Sequence, residues 1–134
     1  MAKLEEVEGI GPKYAAMLKK AGVRGTGDLL KKGGKPEGRK SISDKSGITT
    51  KMILEWVNHV DLFRVKGIGS EYSDLLEEAG VDTIPELCQR KSDNLFQKMV
   101  SVNTSKKLVR KLPTEKQIAG WISQAKKLPS AITY

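Results

Sequence analysis

The sequence predicts an all-α protein made of two similar helical units, and three observations lead there. A segment is repeated: "VEGIGPKYAAMLKKAGV" begins at Val7 and "VKGIGSEYSDLLEEAGV" at Val65. Apolar residues recur at helical spacing in both copies, Tyr14, Met17, Leu18 and Ala21 in the first and Tyr72, Leu75, Leu76 and Ala79 in the second. No run alternates apolar and polar residues long enough to make a strand.

Each copy reads the same way from its N-terminal side. Val7, Gly9, Ile10, Gly11, Tyr14 and Leu18 match Val65, Gly67, Ile68, Gly69, Tyr72 and Leu76. Gly22 and Gly80 follow as helix stops. A short helix comes next. Thr83 and Glu86 have capping-box spacing at its start in the second copy, where the first has Gly25, a weaker cap. The last helix carries Ile53, Trp56, Val57 and Val60, or Ile118, Trp121, Ile122 and Ala125, with Thr114 and Gln117 as a further capping box after Pro113. Trp56 and Trp121 align only at a larger offset than the glycines, so the second copy is longer in its middle. The expected division is residues 1–61 and 62–134, the second with a longer middle segment and a C-terminal extension. The linker "NHVDLFRV" has neither Gly nor Pro, so packed units are expected rather than a flexible tether. Few residues precede the first turn, which leaves a leading helix stunted or absent.

Composition narrows the function classes. The net charge is +8, with twelve Lys/Arg and eight Asp/Glu on either side of the Asp61–Leu62 bond, so the positive charge is built into both copies. That balance favours a polyanionic partner such as nucleic acid. The apolar runs are too short for a membrane span, and the N-terminus lacks a signal peptide's apolar stretch, so a cytoplasmic protein is expected. One Cys and one His make neither a disulfide nor the usual zinc site.

A hydrophobic-x-Gly-hydrophobic-Gly turn before a helix has a physical use. Glycine lets another group approach the backbone, and the first helical amides have no intrahelical acceptor. The helix dipole adds positive character, so the turn suits a phosphate. Ile10 and Ile68 would plug such turns into the core. On these residues the two copies resemble the hairpin and second helix of the helix-hairpin-helix family, whose hairpin amides grip the DNA backbone without reading sequence. The later segments "SGITTKMILEWV" and "RKLPTEKQIAGWI" resemble degenerate second hairpins. The layout is similar to the C-terminal domain of the bacterial RNA polymerase alpha subunit. The whole chain resembles a bacterial family of tandem helix-hairpin-helix proteins that is a domain of unknown function. The resemblance implies two packed helix-hairpin-helix units and non-sequence-specific nucleic-acid binding, with DNA held through its phosphates. It implies no metal or organic cofactor, although some hairpins of the family hold a monovalent cation.

The expected contact residues are Gly9, Ile10, Gly11, Lys13, Lys19 and Lys20 at the first turn and its helix. Lys66, Gly67 and Gly69 are the counterparts at the second, where Glu71, Asp74, Glu77 and Glu78 follow instead of cations. The first turn is therefore the better candidate. "KKGGKPEGRK", with Lys35, Arg39 and Lys40, reads as a mobile basic arm or as an exposed solvated loop. In "KKLVRKLPTEK", Arg110 and Lys111 are expected to face out and add contacts. Trp56, Trp121, Tyr14 and Tyr72 read as core rather than base-stacking residues. Cys88 reads as a small buried hydrophobe, and His59 as a surface histidine. The alternative is a protein-binding adaptor that uses the acidic helix around Glu77 and Glu78. No enzyme and no small-molecule substrate are expected. A lysine-based abasic-site lyase is a minor catalytic option, and no lysine stands out for it.

Overall fold

A computed structural model describes residues 3–134, and all regular structure among them is helical. A 3-10 turn, Leu4–Glu6, stands where a leading helix would be. It is followed by α1 (Pro12–Lys20), α2 (Thr26–Gly33), α3 (Pro36–Ser46), α4 (Thr50–Leu62), α5 (Ser70–Glu78), α6 (Ile84–Gln89), α7 (Ser92–Lys106) and α8 (Glu115–Lys127). The chain divides into two compact units, Met1–Asp61 with Ser130–Tyr134, and Leu62–Pro129. The repeat-based division assigned residues 130–134 to the second unit. In the structure they return to the first.

In unit 1, α3 packs against both α1 and α2. Leu18, Val23, Leu29, Ile53 and Val57 are fully buried there. In unit 2, α8 packs on α6 and α7, and α5 on α7, around Leu75, Leu76, Leu87, Leu95, Met99 and Ile118. The helix ends follow local chemistry. After α1, Gly22 takes φ +92° and Val23 N–H donates to Leu18 O; after α5, Gly80 and Val81 repeat this. Thr114 accepts from Gln117 N–H, and the Gln117 side chain accepts from Thr114 N–H, closing the box that starts α8.

The segment Lys31–Lys40 is neither an arm nor a loop. It ends α2 and starts α3, with Pro36 in the first turn and Gly47 closing the helix at φ +79°. Its glycines serve close packing. A Cβ on Gly38 would lie 1.8 Å from Lys32 O, and one on Gly34 2.5 Å from Ala131 O. The second contact belongs to the returning C-terminal segment, where Thr133 N–H donates to Gly34 O at 2.7 Å. His59 is also not a surface residue. It is buried near the end of α4 with Asn58 and Asp61, and Tyr134 Oη donates to Asn58 Oδ1 at 2.9 Å.

Candidate functional site

The two glycine turns have one construction. In the first, Val7 N–H donates to Leu4 O and Ile10 N–H to Val7 O; in the second, Val65 and Ile68 donate to Leu62 O and Val65 O. Ile10 and Ile68 are buried and seat the turn. Gly9 and Gly67 take φ +91° and +97°, where side chains are strained. Each also faces a tryptophan. A Cβ would stand 3.2 Å from Trp56 Nε1 at Gly9 and 2.8 Å from Trp121 Nε1 at Gly67. Tyr14 tilts against Trp56, and Tyr72 against Trp121, both with ring centroids 5.3 Å apart. The Gly–Trp–Tyr set accounts for three of the residues that the two copies keep, Gly9, Tyr14 and Trp56 with their counterparts Gly67, Tyr72 and Trp121.

Gly11 and Gly69 are different. Their φ values, −87° and −105°, suit any residue, both are exposed, and a Cβ would meet nothing within 4 Å. Each is the N-cap of the next helix, and no side chain caps that helix. The first-turn amides of α1 and α5 therefore point outward without an intrahelical acceptor. Pro12 removes one of those donors from α1, and Ser70 keeps it in α5.

The charges around the turns are arranged unequally. Lys13 is exposed in the first turn of α1. Lys19 and Lys20 are exposed in its last turn, roughly 9 Å further along the axis, and are not gathered at Gly9–Gly11. In unit 2 Glu71 takes the place of Lys13, yet Arg110 and Lys111 come to the same turn. With Gly67, Gly69, Glu71 and Tyr72 they line an open groove of about 460 Å³. Two side chains hold the basic loop there. Tyr72 Oη donates to Lys111 O at 2.9 Å. Asn103 donates from Nδ2 to Val109 O and accepts from Val109 N–H at Oδ1. The loop leaves α7 through Lys107 at φ 51°, ψ 48°, a left-handed conformation that costs about 1–2 kcal/mol outside glycine. Burial of one core leucine contributes a similar amount, so the unit's packing offsets it easily.

The remaining expected residues separate clearly. Lys35, the N-cap of α3, and Lys40 within that helix are exposed, and Lys66 is exposed with its amide donating to Gln124 Oε1 at 3.0 Å. Arg39 is not a surface contact. It is 5% exposed, and its guanidinium donates to Gly33 O at 2.9 Å and to Thr133 O at 2.7 Å. Two inward carbonyls need donors, and this arginine supplies them. On α5, Glu78 pairs with Lys106 of α7, so part of the acidic face is matched inside the unit. Sequence reasoning missed Asn103 and the loop-holding role of Tyr72. The signal for Asn103 was an amide side chain in the last turn of a helix just before a basic loop.

Among the described residues, no three His, Cys, Asp or Glu side chains are grouped to hold a metal, and no helix is long and apolar enough to cross a membrane. No curated protein and no solved structure matches the chain. Residues 8–128, which take in both glycine turns and α1 through α8, match the family described as Domain of unknown function (DUF4332), and the chain belongs to that family.

Proposed function

We propose that the two units are helix-hairpin-helix modules that hold the phosphate backbone of nucleic acid, DNA in the first instance, with little sequence preference. One observation carries this reading. Gly11 and Gly69 have ordinary backbone angles, open space where a Cβ would sit, and uncapped helical amides beside them. Nothing inside the chain calls for glycine at these two positions. A bare backbone there suits close approach of an outside group, and the adjoining amides and helix dipole suit a phosphate oxygen. Lys13 serves the first turn, and Arg110 and Lys111 serve the second. Both turns are therefore contact sites, and the second is no mere relic despite Glu71.

The alternative, a protein-binding adaptor using the acidic helix around Glu77 and Glu78, would have to compete with Lys106, which already pairs with Glu78. Fluorescence anisotropy against labelled duplex, single-stranded and branched DNA at two salt concentrations tests the proposal. About four to six phosphate contacts would give a log-affinity against log-salt slope of about −4 to −5. Gly11→Val and Gly69→Val should keep the fold and weaken binding. Unchanged affinity in both variants, or no binding at low salt, would sink the reading and turn attention to protein partners.

A further inference from the structure

The corner between α1 and α2 is a concave, cationic surface of unit 1. A pocket of about 810 Å³ opens there, with Lys3, Gly22, Arg24, Asp28, Lys31 and Lys32 in its lining. It lies at the C-terminal end of α1, and the Gly9–Gly11 turn lies at the other end, roughly 13 Å away along nine residues of helix. Asp28 is the one acid among the described lining residues, and it is matched from within. Its Oδ2 accepts from Arg24 N–H at 3.1 Å and pairs with Lys32 Nζ at 3.3 Å. Lys32 also donates to Gly22 O at 2.6 Å, which makes it the structural cation of the corner. Lys3, Arg24 and Lys31 remain exposed around the opening, with no salt bridge of their own among the described residues.

The equivalent corner of unit 2 shows that the fold does not require these cations. Asp82 stands in the place of Arg24, Gln89 in that of Lys31 and Thr83 in that of Gly25. Arg90 alone keeps the place of Lys32, donating to Ala79 O at 3.3 Å. Thr83 Oγ1 caps α6 by accepting from Glu86 N–H, whereas Gly25 leaves α2 without a side-chain cap. No aromatic side chain lines the unit 1 pocket, so a base has nothing to stack on and the recognised group is the anion itself.

We propose that this pocket binds a phosphate group, carried by a free nucleotide or by a nucleic-acid backbone, and that it does so independently of the glycine turns. The test is a series of amide NMR spectra of the full chain, titrated with inorganic phosphate, a nucleoside monophosphate and a duplex oligonucleotide. Sodium chloride at matched ionic strength serves as the control. Saturable shifts of the Gly27, Asp28 and Lys31 amides with inorganic phosphate are expected. In R24Q/K31Q they should need at least about fivefold more phosphate, since two exposed cations are lost. Both positions are exposed, and the remaining spectrum of the variant reports that the fold is kept. Shifts with the monophosphate but not the duplex would assign the pocket to free nucleotide; shifts with the duplex would assign it to the backbone. No saturable shift, the same shift in R24Q/K31Q, or an equal response to chloride would overturn the proposal. Failure of the glycine-turn reading would show separately, as unmoved amides at Gly11 and Lys13.

Discussion

The two glycine turns share a seat and differ in where their positive charge comes from. At Gly9–Gly11 the cation is Lys13, on the helix that the turn itself begins. At Gly67–Gly69 that place holds Glu71, and Arg110 and Lys111 arrive from the loop after α7, held by Tyr72 and Asn103. The backbone of the turn is fixed by Gly, Ile, Trp and Tyr, which both copies keep. Its charge is a separable property, which one copy draws from its own helix and the other from the lengthened middle segment. An acidic first turn is thus a poor guide to the charge around a hairpin when a distant loop can fold back over it.

The strongest challenge to this likeness concerns what unit 1 alone contains. Arg39→Ala leaves two inward carbonyls without their charged donor and should cost about 3 kcal/mol. Residue-resolved hydrogen exchange should show lowered protection in α2 and α3 and little change in α5–α8; a uniform loss would contradict the division into units. Next come the seats themselves. Gly67→Ala should cost about 2–3 kcal/mol and Gly9→Ala about 1–2, since both need positive φ and the Trp121 contact is the closer. Urea unfolding compares the two, and equal costs would mean that the tryptophan does not set the difference.

Charge reversal sharpens the functional half of the comparison. Arg110→Glu with Lys111→Glu should weaken duplex binding by roughly tenfold or more and make the salt slope shallower by about 2, against about 1 for Lys13→Glu. A larger effect from Lys13→Glu would return the main role to the first turn. The smallest effect is a contrast in pH dependence. Asp28 and Glu86 are equivalent in the repeat, but a hydrogen bond with Asp82, aided by burial, pushes the Glu86 carboxyl up. Its folded form therefore holds a proton more tightly than the unfolded chain. That contribution is complete below the ordinary value of 4.5 and is lost as pH rises through the folded value. The Arg24 amide, with Lys32, holds Asp28 low, so its contribution exists above 3.8 and is lost as pH falls. Asp82→Asn should reduce the Glu86 part to what burial alone supplies, seen as a flatter stability profile above pH 4.5 in urea titrations.

The repeat, the helical class and the buried tryptophans were legible because the glycines and tyrosines recur at one offset, apolar residues recur at helical spacing, and each copy has a single Trp on its last apolar face. Helix α3 was not. "KKGGKPEGRK" has the composition of a loop, and the reasons for its glycines are the Lys32 carbonyl beside Gly38 and the Ala131 carbonyl beside Gly34. Ala131 lies near the far end of the chain, where no local pattern can announce it. The same distance hid the role of Arg39, which reads as a surface charge until Thr133 comes back to meet it. Arg110 and Lys111 were legible as outward cations, but their destination depended on Asn103 and on one left-handed residue, Lys107.

The returning segment also bears on the order in which the protein is completed. Residues 130–134 leave the ribosome after the whole of Leu62–Pro129, so unit 2 is synthesised in full before the last strip of unit 1 exists. Domains usually finish from the N-terminus onward during synthesis. Here the first unit to emerge is the last to be finished, and until Thr133 arrives the Arg39 guanidinium waits without one of its two carbonyls. A chain ending at Pro129 would carry every residue of the second unit and a first unit still open at Gly33–Gly34.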